Sequence, residues 1–172
     1  MTTLVLPQFP ETEILVAQYD NVKNAGKIRE ELVKGNLQFN YAFINAETVT
    51  SETHLNSAIY RTLINHKNKT MKAKTMHSEL IFNLSPFKNI MDALKKFGIA
   101  DECSSIIVVR IPGEGEAEPA IDDLDSVVEG DRTEEPIGLH CNTALVKKIF
   151  KLNGLNDDLD LSTLISGSIQ LR

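Results

Sequence analysis

The apolar positions along the chain change period several times, and each change marks an element. Residues 14–19 (ILVAQY) form a short continuous apolar run that predicts a buried strand. In NVKNAGKIREELV, Val22, Ala25, Ile28 and Leu32 fall at helical spacing, which predicts a helix with Asn21 as its N-cap. Residues 41–44 read as a strand, and Leu55, Ile59 and Leu63, joined by Tyr60 and Ile64, mark a second helix entered from Thr50 or Ser51. In HSELIFNLSPFKNIMDALKKFGI, Leu80, Phe82 and Leu84 alternate about Ile81 and Asn83, which predicts a strand that Pro86 ends. A helix then carries Ile90, Ala93, Leu94 and Phe97 on one stripe, with Asn89 as N-cap and Asp92 in the first turn. Lys95 and Lys96 fall in its last turn, and Gly98 is placed for the left-handed residue that follows a helix.

Residues 106–111 are apolar throughout and predict a central strand stopped by Pro112. Asn142 caps a further expected helix bearing Leu145, Ile149 and Leu152 and closed by Asn153-Gly154. A last short helix is expected to hold Leu161, Leu164 and Ile165, ahead of a terminal IQLR at 169–172. The element order predicts a mixed α/β (α+β) fold in a single domain over 1–172: a mixed sheet flanked by helices, with C-terminal helices.

Composition adds few constraints. The 172 residues are 42% hydrophobic and 24% charged, which excludes wholesale disorder and a fibrous repeat. The net charge of −6 excludes a wholly basic nucleic-acid binder, but it hides an asymmetry. Between 113 and 135 ten acids face the single base Arg132, so this window carries −9 and the rest of the chain +3. With its glycines and prolines, the window is expected to be an exposed, mobile insertion that the fold does not need. Over 61–74 the reverse holds: Arg61, Lys67, Lys69, Lys72 and Lys74 face no acid. Such a stretch is where an anionic partner would bind, although spacing alone favours a solvated lysine face.

Two cysteines, Cys103 and Cys141, make neither a disulfide framework nor a zinc pair. No basic residue precedes Lys23 and no apolar run approaches the ~20 residues of a membrane span. A soluble, intracellular chain, with reduced thiols and no membrane partner, is expected. His54, His66, His77 and His140 lack metal-ligand spacing, and Gly113-Glu-Gly115 lies among acids that would repel a phosphate. Ser85-Pro-Phe-Lys88 matches Ser-x-x-Lys without its companion motifs. With no catalytic, metal or cofactor constellation legible, the residues favour a binding module over an enzyme. An autonomous RNA-binding domain and a small-molecule enzyme with an unseen pocket stay open. The former would want stacking aromatics, for which Tyr60 and Phe87 are the nearby candidates.

Several segments resemble a known family. VKNAGKIRE (22–30), NKTMKAKTMHSELIFNLSPFKNIMDALKKFGI (68–99), LVKKIFKLN (145–153) and IQLR (169–172) are similar to the PRPK-binding protein family, the small kinase-binding subunit of the KEOPS/EKC complex. PQFP (7–10) and SAIYRTLI (57–64) resemble its fungal branch. The resemblance covers nearly the whole chain except 113–135. It implies one mixed α/β domain without catalytic activity or cofactor. It further implies binding to the N-terminal lobe of an atypical small kinase or ATPase, allosteric activation of that kinase, and indirect association with the remaining KEOPS subunits. Help in recruiting tRNA by its 3′ end for threonylcarbamoyladenosine formation is implied too, and fungal relatives are also tied to telomere maintenance and transcription. Patterning nominates Leu161, Leu164, Ile165, Ile169 and Leu171 for the kinase, with core packing as the competing role. Arg61, Lys67, Lys69, Lys72 and Lys74 are nominated for tRNA.

Overall fold

The computed structural model describes residues 2–113 and 121–150. In chain order its elements are β1 (Thr2–Leu4), β2 (Ile14–Asp20), α1 (Ala25–Lys34), β3 (Ala42–Asn45), α2 (Glu52–Lys67), α3 (Met76–Leu84), α4 (Ile90–Phe97), β4 (Ile106–Arg110), α5 (Ile121–Val127), β5 (Asp131–Thr133) and α6 (Thr143–Ile149). The chain divides into two compact units, 1–45 with 98–134 and 46–97 with 135–172. All five strands belong to the first. The second is helical among the described residues.

In the first unit the sheet runs β1-β2-β4-β3, and β5 also pairs with β2. One edge of β2 takes β4 across Leu15–Tyr19, and the other is shared by β1 at Ile14–Val16 and β5 at Gln18–Asp20. Every described pairing is antiparallel, which corrects the expected mixed sheet and makes the fold α+β. The apolar runs at 14–19 and 106–109 are buried on both sheet faces, which is why they do not alternate. One face, with Leu15, Ala17, Tyr19, Phe43, Ile106 and Val108, packs under Ala25 and Ile28 of α1 and Leu124 of α5. Helix α1 starts three residues later than expected. Asn21 adopts φ +52, a left-handed conformation that asparagine tolerates, and the helix is entered from Asn24.

The acidic window is not an appended loop over its described part. Leu124 and Val128 are buried, and β5 extends the sheet. The Tyr19 hydroxyl donates to Asp125 Oδ1 at 2.6 Å, while Arg132 holds Asp125 Oδ2 at 3.0 Å. Asn24 donates to the Val127 carbonyl at 2.9 Å and accepts from the Glu129 amide at 3.0 Å. Gly130 leaves no room for a side chain, since an added Cβ would lie 2.9 Å from the Asp20 carbonyl oxygen. Leu124 on α5 and Val128 just after it are apolar positions that seat this segment, and a count of charge does not register them.

In the helical unit the stretch 80–84 is helix α3, not a strand. Its N-cap Thr75 accepts from the Ser78 amide at 3.1 Å, and Glu79, Leu80, Ile81, Phe82, Asn83 and Leu84 are all buried. A helix buried on nearly every side shows no polar stripe, so its accidental alternation imitates a strand. Pro86 acts as the stop expected of it by holding Ser85 extended at ψ 158. Helix α4 forms as expected, with Asn89 Oδ1 accepting from the Met91 amide at 2.8 Å. Gly98, which already belongs to the sheet unit, bridges to Ile44 there and is absent from the left-handed glycines, Gly35 and Gly138. Asn142 caps α6 through the Leu145 amide at 3.1 Å, and the helix stops at Ile149. The features expected at Leu152, Asn153-Gly154, Leu161, Leu164, Ile165, Ile169 and Leu171 lie outside the described residues.

Candidate functional site

The basic stretch belongs to the α2–α3 hairpin of the helical unit. Ser51 starts α2, its hydroxyl accepting from the His54 amide at 3.2 Å, and Leu55, Ile59 and Leu63 are buried along it. The two helices are joined by buried polar contacts rather than by apolar packing alone. His54 Nδ1 accepts from the Thr50 amide at 3.1 Å, and Nε2 lies 3.1 Å from the Leu84 carbonyl. Asn83 donates to Thr62 Oγ1 at 3.0 Å, and Thr62 donates onward to the Ala58 carbonyl at 2.8 Å. Burial holds His54 neutral, drawing its pKa down to about 4, so Nδ1 as acceptor leaves Nε2 to carry the proton toward Leu84.

At the closed end of the hairpin lies the loop 68–75 that joins α2 to α3. The Asn68 amide donates to Ile64, the Lys69 amide to His66 and the Thr70 amide to Asn65, so the chain leaves α2 in a closed turn with Lys69 at φ +56. The fully buried Glu79 holds the other half. Its Oε1 accepts from Asn65 Nδ2 at 3.1 Å, and its Oε2 accepts from the backbone amides of Lys72 at 3.1 Å and Ala73 at 2.8 Å. The Lys72 ammonium lies 5.6 Å from the centre of the Phe82 ring. Lys67, Lys69, Lys72 and Lys74 are exposed, and Arg61 is half-buried on α2. The structure thus places Lys69, Lys72 and Lys74 on one short, internally bonded connection, directly after Lys67, the last residue of α2. Lys95 and Lys96 end α4, and Lys147 and Lys148 end α6.

Charge divides between the units more sharply than along the sequence. Residues 46–97 and 135–150 hold ten lysines and arginines against five acids, a net +5. Residues 1–45 and 98–134 hold six against sixteen, a net −10. Sequence reasoning missed this because the compensating acids are distant in the chain and belong to the other unit.

The other candidates have structural roles. Ser85 is buried and donates to the Phe82 carbonyl at 2.8 Å. His140 pairs with Glu135 at 3.2 Å, and burial pushes the Cys141 thiol up, away from the reactive thiolate. Of the two expected stacking aromatics, Tyr60 is half-buried on α2, and Phe87 is half-buried and packs edge-on against Phe97. Among the described residues no helix is long and apolar enough to cross a membrane.

A lysine-bearing hairpin whose loop backbone is held by a buried acid is the arrangement of a module that can bind an anionic partner. The family described as Kinase binding protein CGI-121 matches residues 19–172. An EKC/KEOPS complex subunit CGI121 from Yarrowia lipolytica is 41% identical over 96% of each chain. The corresponding subunits of Schizosaccharomyces pombe and Candida glabrata are 36% and 35% identical over 98% and 97% of each. The chain belongs to the CGI-121 kinase-binding family and is a non-catalytic, kinase-binding protein.

Proposed function

We propose that the chain is the kinase-binding subunit of an EKC/KEOPS complex, acting in cytoplasm and nucleus. In this reading it docks on the N-terminal lobe of the complex's atypical kinase, activates it allosterically, and meets the other subunits through it. It also helps recruit tRNA by the 3′ end for threonylcarbamoyladenosine formation. The kinase half is supported by the family match over residues 19–172 and by relatives whose names make them subunits of that complex. The tRNA half is supported by the exposed lysines of 67–74 on the positively charged unit. Flexible lysines suit backbone phosphates, which position an RNA without reading its sequence.

Co-purification from cells tests the first half, with the kinase expected at near-equal amounts. The tail is the proposed dock, and deleting 169–172 should weaken kinase binding by about 2 kcal/mol if Ile169 or Leu171 is a buried anchor. A folded truncation that binds as well as the full chain removes the tail from the interface. For the second half, replacing Lys67, Lys69, Lys72 and Lys74 by alanine should flatten the salt dependence of tRNA binding. Each lost contact to a single-stranded 3′ end removes about 0.7 from the slope of log K against log salt. An unchanged slope in a folded variant makes this a solvated face.

A further inference from the structure

We infer that Glu79 is a positioning residue for nucleic-acid binding: its buried carboxylate fixes the lysine loop in a binding-ready shape. The inference rests on the tRNA reading of that loop.

A fully buried carboxylate needs partners for its charge, and Glu79 finds them in the loop backbone. Of its three hydrogen bonds, two come from the amides of Lys72 and Ala73 and one from Asn65 of α2. Asn65 is itself tied to the loop, because its carbonyl accepts from the Thr70 amide at 2.8 Å. An acid on α3, an amide on α2 and the loop backbone therefore close one ring of contacts. The arrangement has an electrostatic consequence. The acid's oxygens are spent on amides beneath the loop, and no described bond joins them to the lysine ammonium groups above. Lys72 is oriented instead by the face of Phe82, which attracts the cation without neutralising it. The loop thus gains a rigid backbone while its exposed charges stay available to phosphate.

Without Glu79 the amides of Lys72 and Ala73 lose their acceptor, and the loop must be ordered when RNA binds. Re-ordering the backbone of about one residue reduces affinity roughly tenfold. The test compares E79A and E79Q in the full chain, using a single-stranded RNA that ends in the tRNA 3′ sequence. Glutamine can still accept from both loop amides with its oxygen while its amide group meets a flipped Asn65, so it serves as the conservative rescue. Both variants are first checked for a native helical spectrum, and amide exchange is measured at Lys72 and Ala73. The expected result is fast exchange and about tenfold weaker binding in E79A, with both restored in E79Q. Substituting Lys72 and Lys74 should then matter less in E79A than in the wild type, because the two changes disable one device. If E79A folds and binds as tightly as the wild type, or if the effects simply add, Glu79 does not position the lysines. If the four-lysine variant binds RNA normally while E79A still exposes the two amides, the tRNA reading fails and the positioning role falls with it. Should E79A not fold, the same comparison on N65A, which removes the Asn65 partner and leaves the carboxylate, decides between the outcomes: unchanged RNA affinity overturns the inference.

Discussion

Leu124 decides whether the acidic stretch is part of the fold. It is fully buried in a cluster with Tyr19, Ile28, Phe43 and Val108, on a segment that charge counting alone would remove. Replacing it with alanine deletes three carbon atoms from that cluster. At about 0.8 kcal/mol for each buried methylene the transfer loss is ~2.4 kcal/mol. A residual cavity adds to this, and Leu→Ala changes in cores span about 2–5 kcal/mol. A loss of ~3 kcal/mol should lower the melting temperature of a chain this size by about 6–12 °C. Urea unfolding followed by far-ultraviolet circular dichroism measures it, with V33A as the control, since Val33 is 82% exposed. The control should change stability by less than about 0.5 kcal/mol. If L124A is as mild as V33A, helix α5 is not seated on the sheet and the window is an appendage after all.

Three further outcomes follow from the geometry. Burial and the bond to Asp125 raise the Tyr19 phenol above the usual tyrosine range, so its contribution to stability is complete below pH ~10 and is lost as pH rises through the folded value. Tyr19→Phe should therefore cost about 1 kcal/mol at neutral pH and remove one late-ionising phenol from an alkaline absorbance titration. His54 has the opposite sign: neutral in the fold down to about pH 4, it contributes stability that is present above pH ~6.5 and lost as pH falls toward 4. The stability difference between the wild type and H54Q should shrink by roughly 3 kcal/mol across that window, and a constant difference refutes the buried neutral imidazole. Gly138→Ala should unfold or strongly destabilise the helical unit in a thermal melt, because φ is +102 and the added Cβ would run into the Thr50 carbonyl oxygen.

Much of this fold is legible where one local signal has only one structural meaning. Ser51, Asn89 and Asn142 each cap the helix expected of them, because a side-chain acceptor before an apolar periodic run has few other uses. The strands at 14–20 and 106–110 are legible as continuous apolar runs. The same kind of run misleads at 80–84, where total burial erases the polar face that separates helix from strand. Its polar residues carried the missing information. Asn83 and Glu79 are four apart, as one face of a helix requires, and they meet Thr62 and Asn65 on α2. The acidic window misleads for a different reason: composition averages over 23 residues, whereas docking α5 and the turn after it turns on a few apolar positions, Leu124 and Val128 among them. The lysines of the candidate site were legible as a group. Their support was not, since Glu79 stands outside the acid-free stretch that draws attention to them.

The division of charge bears on how RNA binding has to be measured. A phosphate chain drawn to the lysines of 67–74 approaches a molecule whose net charge is −6. Added salt screens the attraction to the lysines, and it also screens the repulsion from the acids, which number sixteen over residues 1–45 and 98–134. The two effects oppose each other in the observed slope, so under the proposed tRNA reading the slope of the unmodified chain would understate the number of phosphates engaged. Lysine substitutions leave the acids in place, and the repulsive part cancels in the difference between variant and wild type. The lysine count therefore follows from that difference. A shallow absolute slope would not by itself speak against the site.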